Sequence, residues 1–254
     1  MNEFDIVIGH PSIFEIISFN TRKIQKIFFT EDSKKEFLKR FKKDQSFLKG
    51  IEIEILDSHR LEEEAKKYFD ELNFSYQRVP SKTFAIVDKL KIYDPAWLFD
   101  ELLSGKIDKI LCLDQITDIH NGAAILRTAS FYGVDTVVVS MKNNFGHTPS
   151  FSRIASGGLE HVKIVKCASL PKFITKLQKS GVRCFGLSEH ASEELKDSEI
   201  GEKNCLILGA EDVGLSNAVT RILDKTLSLK ALGNTKSLNV SVAAALAMDK
   251  VFNS

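Results

Sequence analysis

Thr226–Met248 reads TLSLKALGNTKSLNVSVAAALAM, an apolar strand, a glycine-bearing loop and a helix of small residues. Ser237, Asn239 and Ser241 stand where an ordinary core helix would begin with apolar side chains. After Asn239 no charge appears before Asp249, so the helix is expected to pack closely, within the subunit or across a two-fold partner. Open α/β sheets place their ligands in loops at the carboxyl ends of parallel strands. The stretch therefore predicts both a parallel sheet and a site at its edge.

Working upstream, ILCLD, VDTVVVS, VKIVKCA, VRCFGLS and NCLILGA precede TLSLKA, each separated from the next by a helical segment. Continuous apolar runs, rather than alternating ones, are what a parallel sheet covered on both faces requires. Six such strands make an open, doubly wound sheet. Between the first two lies NGAAILRTASFYG, a helix whose Ala124, Ile125, Thr128, Ala129 and Tyr132 are expected to face the sheet. Asn121 is expected as its N-cap and Gly133 as its C-cap. The turn before it, DQITDIHNGAA, lacks the GxGxxG of a dinucleotide fold, which disfavours a nicotinamide enzyme.

Residues 1–90 have a pattern of their own. Ile51, Ile53 and Ile55 alternate as a half-buried strand does, while Leu61, Ala65, Tyr68, Phe69 and Leu72 recur at helical spacing. This part is expected to be a smaller domain of its own, a compact α/β or α+β sandwich. Residues 91–108, with Pro95, Trp97 and Gly105, read as a linker in which Trp97 serves packing, and 109–254 read as the second domain.

At 254 residues, 43% hydrophobic and 27% charged, the chain has the composition of a globular protein. No stretch approaches the roughly 18 uninterrupted apolar residues of a membrane span, and MNEFDIVIGH has no leader-like pattern. The expectation is a cytoplasmic protein without membrane contact. Cys112, Cys167, Cys184 and Cys205 fall singly in β-rich runs, so buried free thiols are expected rather than a metal site or disulfides. A net charge of +1 excludes a protein that coats nucleic acid by electrostatics alone, but not one with a selective RNA contact. KKEFLKRFKK concentrates Lys34, Lys35, Lys39, Arg40, Lys42 and Lys43 on a helix whose apolar face is Phe37, Leu38 and Phe41. It reads either as a solvated face or as a patch for RNA phosphates.

Three loops carry the candidate chemistry. In the first, Gly122 and Ala123 remove bulk beside Asn121, and Arg127 is a guanidinium on an otherwise small, apolar helix. Arg127 reads as a ligand-facing cation, a structural ion pair or a snorkelling surface residue. In the second, LILGAEDVGLSN, Gly209 and Gly214 surround Glu211 after a buried strand, and Ser216 or Asn217 caps the helix that follows. The third is the opening stretch.

The order N-x-G/A-x-x-x-R, then G-x-E-x-x-G, then S-L-N-V-S-V-A resembles the SpoU branch of the SPOUT RNA methyltransferases, over essentially all of 110–254. The N-terminal part resembles the ribosomal-protein-like substrate-binding domain of the large-subunit rRNA guanosine members. The resemblance implies a deep trefoil knot in the second domain and S-adenosylmethionine as methyl donor, held by Gly209, Leu229 and Leu238 largely through main chain. By motif match, Arg127 is the catalytic arginine, Asn121 the first-motif asparagine and Glu211 the second-motif acid, all counted with the catalytic set, while Ser237 and Asn239 of the third motif face the reacting ribose beside Arg127. The implied reaction is 2′-O-ribose methylation of RNA without a metal, with rRNA favoured over tRNA, by a homodimer that completes the RNA site.

Three features depart from the family pattern. Gly122 comes one place early in NGAAILRTA, Lys230 replaces a proline, and Tyr76-Gln77-Arg78-Val79 stands where relatives show H-Q-G-V. In the family proposal Arg127 removes the hydroxyl proton. A guanidinium is a poor general base, so Arg127 is better suited to orient phosphate and stabilise the developing alkoxide, while Ser237, Asn239 or water relays the proton. The alternatives are a tRNA 2′-O-methyltransferase and a non-catalytic knotted RNA-binding or ribosome-assembly module. His120, Glu160 and His161 are read as structural hydrogen-bonding residues.

Overall fold

The computed structural model describes residues 4–146, 148–195, 201–223, 225–235 and 237–253. They fall into two compact units, one of 4–90 with 148–160 and the other of 91–146 with 161–253.

In the first unit β1 (Phe4–Ile8), β2 (Ile24–Phe29), β3 (Ile53–Ile55) and β4 (Thr83–Asp88) form a sheet of order β1-β4-β2-β3. Strands β1 and β2 run antiparallel to β4, and β3 is parallel to β2. Alternation sorts the side chains onto two faces. Val7, Ile27, Phe29, Ala85 and Val87 pack with α1 (His10–Phe19) and α2 (Glu31–Arg40), whereas Ile6, Ile8, Phe28, Phe84 and Ile86 pack with α3 (Ser58–Glu71). The result is a three-layer α/β sandwich. Thr30 starts α2 with a capping box closed by Ser33, and Asp57 caps α3.

Residues 148–160, which carry α6 (Pro149–Ala155), belong with this unit through buried polar contacts. Ser12 Oγ donates to the Ser152 carbonyl at 2.8 Å. The Arg22 guanidinium, 8% exposed, sits 3.0 Å from Asp5 Oδ2 and donates from Nε to Glu160 Oε2 at 3.0 Å. Glu160, expected only as a hydrogen-bonding residue, is thus one arm of a buried ion-pair triad.

The second unit holds an eight-stranded sheet of order β10-β12-β9-β11-β6-β7-β8-β5, parallel throughout. The six apolar runs are β6 (Lys109–Asp114), β7 (Thr136–Ser140), β8 (Lys163–Cys167), β9 (Arg183–Leu187), β11 (Asn204–Gly209) and β12 (Lys225–Ser228). Two-residue strands, β5 (Ile92–Tyr93) and β10 (Glu193–Glu194), finish the edges. The stretch expected as a linker is folded into this unit: it carries β5 and α4 (Pro95–Leu103), whose Leu98, Phe99 and Leu102 are buried in the core, with Trp97 packed against it. The apolar residues of that stretch demand cover, which a linker would not provide.

Helices α4, α7 (Leu170–Lys179) and α8 (Asn217–Thr220) contribute to the core on one face, while α5 (Ile119–Phe131) and α9 (Val240–Phe252) pack together, with α9 against β11. The four cysteines are free and buried, with Cys112 and Cys205 sulfurs 3.4 Å apart. Burial pushes the Cys167 thiol up to about 12. No helix among the described residues is long and apolar enough to cross a membrane.

Candidate active site

Parallel pairing of β6 with β11, in register from Asn204↔Lys109 to Gly209↔Asp114, brings both strands to an end at the same level. The loops that leave β6, β11 and β12 therefore share one edge of the sheet, as parallel topology dictates.

The loop after β6 enters α5 through Asp118, whose carboxylate accepts from the Asn121 amide at 2.7 Å. Asp118, not Asn121, is the N-cap; Asn121 sits one turn in, and its side chain is free for another use. The helix buries Gly122, Ala123, Ile125, Leu126 and Ala129, so the inward stripe is shifted from the expected one, with Ala124 and Thr128 only half-buried. Tyr132 is the C-cap, followed by Gly133 at φ +64°. The early glycine also has a reason. A Cβ on Gly122 would stand 2.6 Å from Phe145 Cγ and 3.0 Å from Phe145 Cε1, so the glycine makes room for that buried ring.

The loop after β11 folds back at once. Ala210 and Gly214 exchange main-chain hydrogen bonds of 3.1 and 2.8 Å, with Gly214 at φ +64°. A Cβ on Gly209 would collide with the Gly214 carbonyl and the Leu215 amide, so only glycine permits this turn. Asp114, a residue not singled out in the sequence, is 4% exposed and accepts from the Ser216 amide at 2.7 Å. Ser216 in turn caps α8. An acid closing the apolar run ILCLD was the available signal.

The loop after β12 ends at Asn239, the N-cap of α9. Its Oδ1 accepts from the Ser241 amide at 3.0 Å and the Ser241 hydroxyl at 2.6 Å, which turns its Nδ2 the other way. That nitrogen donates to Asn121 Oδ1 and to Glu211 Oε2, both at 3.0 Å. Asn121 Nδ2 donates to the same Glu211 oxygen at 2.9 Å. Side chains from the three loops thus close a hydrogen-bonded triangle, and both amide donors of Asn239 are spent.

Beside the triangle opens a cavity of about 840 Å3, within the range of small-molecule sites. Gly209, Leu229, Leu238, Glu211 and Ser237 line it, as do Lys230 and the 187–191 loop that sequence reasoning missed. The signal there was Gly186 within VRCFGLS: a Cβ would stand 2.6 Å from Leu223 and 2.7 Å from Leu215. Asn121 and Asn239 adjoin the cavity through Glu211. Arg127 does not line it. It is exposed on α5, in the same stripe as His120 and Phe131, about 9 Å along the helix axis from Asn121. Among the described residues it has no ion pair, which removes the structural-pair reading and leaves those of a ligand-facing cation and a snorkelling surface residue. No group of three or more metal-binding side chains occurs among the described residues.

The family described as SpoU rRNA Methylase matches residues 108–249. An uncharacterized tRNA/rRNA methyltransferase of Synechocystis sp. is 26% identical over 249 residues, covering 98% of this chain and 62% of its own length. A Staphylococcus aureus protein named for the TrmH family of tRNA/rRNA methyltransferases is 31% identical over 159 residues, covering 61% of this chain and 64% of its own. The chain thus spans less than two thirds of the length of these curated relatives. Among solved structures, the SpoU methyltransferase AviRb of Streptomyces viridochromogenes in complex with AdoMet superposes with a TM-score of 0.72 at 18% identity, covering 99% of this chain and 90% of that one. At that identity the likeness is one of fold.

Proposed function

Because the chain belongs to the SpoU rRNA Methylase family, we propose that it transfers a methyl group from S-adenosylmethionine to a ribose 2′-hydroxyl of RNA, with a guanosine of large-subunit rRNA as target. The observation that carries this reading is the convergence of Asn121, Glu211 and Asn239 on one carboxylate oxygen beside the 840 Å3 cavity.

In this reading Gly209, Leu229 and Leu238 hold the methyl donor. The cavity fits such a group: it is lined by leucines and by the main chain of two tight loops, a combination suited to an adenine face and edge. S-adenosylmethionine, when bound, supplies an electrophilic methyl on a sulfonium. The residues of the chain do the rest. Glu211, fixed by two amide donors on Oε2, orders the loop that follows Gly209. Asn239, with every hydrogen-bonding position occupied, holds the three loops together rather than relaying a proton. Arg127, exposed and unpaired among the described residues, orients an RNA phosphate and stabilises the developing alkoxide through its guanidinium. As the ribose oxygen gains its methyl, its proton leaves through Ser237 or water. Holding the reacting groups in line accounts for several kcal/mol, on the order of what well-oriented systems gain.

The protein acts as a cytoplasmic homodimer with a trefoil-knotted transfer domain, residues 1–90 binding RNA and 109–254 performing transfer. Supporting the dimer, Val242 and Leu246 lie one turn apart on α9 and are 49% and 48% exposed. Calorimetric titration with S-adenosylmethionine, paired with mapping of 2′-O-methyl groups on rRNA and tRNA from cells with and without the protein, tests the whole. Absence of cofactor binding would leave a non-catalytic RNA-binding module, and a change confined to tRNA would overturn the rRNA target.

A further inference from the structure

The first unit carries a charge segregation that methyl transfer does not use. Residues 34–49, KKEFLKRFKKDQSFLK, hold seven basic side chains against Glu36 and Asp44, in a chain whose net charge is +1. Helix α2 turns Phe37 and Leu38 into the core and leaves Lys35, Lys39 and Arg40 exposed, followed by exposed Lys42, Lys43 and Lys49. Among the described residues none of the seven forms an ion pair. Elsewhere on the same unit three lysines are matched: Lys26 lies 2.7 Å from Glu54, Lys67 lies 2.6 Å from Glu64, and Lys82 is bound to Glu62. Asp44 caps the 3-10 turn Gln45–Leu48, accepting from the Ser46 amide at 2.8 Å, and so does not neutralise the patch.

Beneath the charges lie three half-buried rings. Phe14 stacks on Phe41 with centroids 4.0 Å apart and planes 8° apart, and on Phe47 at 5.5 Å. Lys43 Nζ lies over Phe47 at 5.1 Å and over Phe14 at 5.9 Å, and Arg40 lies over Phe41 at 5.7 Å. The rings are occupied by one another and by cations, so they offer no open face to an unstacked base and no apolar wedge to a lipid interface. They pin some of the charges in a fixed array.

We infer that this surface, α2 with Lys42–Lys49, is a binding site for RNA phosphates that follows the backbone without reading bases. RNA as the occupant rests on the proposed function; the polyanion specificity rests on the unpaired charges. In the test, full-length protein is titrated against a fluorescein-labelled RNA hairpin of about 20 nucleotides across a salt series. The variant is Lys35→Gln, Lys39→Gln, Lys42→Gln and Lys49→Gln together, and the control is Lys26→Gln, Lys67→Gln and Lys82→Gln. Each phosphate contact contributes about 0.9 to the slope of log K against log salt, so the fourfold variant is expected to lose about 2–4 in slope and at least roughly 10-fold in affinity near 100 mM salt. The control should keep both, and calorimetric S-adenosylmethionine binding should not change. An unchanged slope in the variant, an equal loss in the control, or binding to phosphatidylserine vesicles in place of the hairpin would overturn the inference. A wild type that binds no S-adenosylmethionine yet shows the salt effect would defeat the proposed function alone.

Discussion

Asn239 Nδ2 donates to Glu211 Oε2 at 3.0 Å across 28 residues of chain, tying the loop before the last helix to the loop after β11. Because Asn121 Nδ2 reaches the same oxygen, one carboxylate atom determines how three loops meet. Glutamine at 211 retains the shape but weakens the acceptor and brings an N–H₂ group against two amide donors. Hydrogen bonds to a charged group contribute about 1.5–3 kcal/mol, so Glu211→Gln should slow methyl transfer by about 10–100-fold. Glu211 is exposed, so the melting temperature should stay within about 2 °C of wild type. Tritiated methyl incorporation alongside a thermal melt separates the two; a large fall in melting temperature would mean the triangle serves stability instead.

Gly209 is buried where a Cβ would strike the Gly214 carbonyl. Gly209→Ala must push the 210–214 turn outward, at a cost of about 1–3 kcal/mol for overpacking. Calorimetry should show weakened or lost S-adenosylmethionine binding in a protein that still folds. Wild-type affinity in the alanine variant would mean that this turn does not shape the pocket.

The early glycine of α5 makes a separable case. Gly122→Ala places a methyl against Phe145 and should destabilise the protein by about 1–3 kcal/mol, and adding Phe145→Leu should recover part of that loss. Urea unfolding of the two single variants and the double variant measures the coupling. Additive losses would show that the ring is not what the glycine accommodates.

The parallel sheet was legible because ILCLD, VDTVVVS and NCLILGA are uninterrupted apolar runs, a pattern that both-face burial enforces locally. Two-residue strands such as Ile92–Tyr93 leave no such trace: their pairing comes from neighbours in space. The same holds for 148–160, which joins the first unit through Ser152 and Glu160, contacts made with residues some 140 positions away. At the site, Asn121, Glu211 and Asn239 were readable from motif spacing, and they do meet. The N-cap was misread because Asp118 and Asn121, both good caps, stand three residues apart, and only geometry chooses between them. Arg127 illustrates a further limit, since an arginine among small residues looks the same in sequence whether its head is paired inside or exposed.

His10 is 2% exposed, within 3.0 Å of Thr83 Oγ1 and edge-on to Phe37. Burial pushes its pKa below the usual 6.5, with Glu36 opposing and Arg40 assisting. Between the folded pKa and 6.5 the unfolded chain binds more protons, so stability is full above 6.5 and falls as the pH drops through that window. Urea midpoints from pH 8 to 5 should decline below about 6.5, and His10→Gln should flatten that part of the curve. An identical decline in His10→Gln would assign the effect to other groups.

Whether the triangle and its cavity serve methyl transfer to ribose is decided by where the methyl label ends up. Unmethylated large-subunit rRNA is incubated with methyl-tritiated S-adenosylmethionine and either wild-type protein or Asn239→Ala, and the labelled nucleoside is identified after digestion. Wild type should place label on a ribose 2′-oxygen, and Asn239→Ala should lose at least about 10-fold of it, the scale of about 1.4 kcal/mol of lost positioning. Label on a base, or full incorporation by Asn239→Ala, would contradict that role.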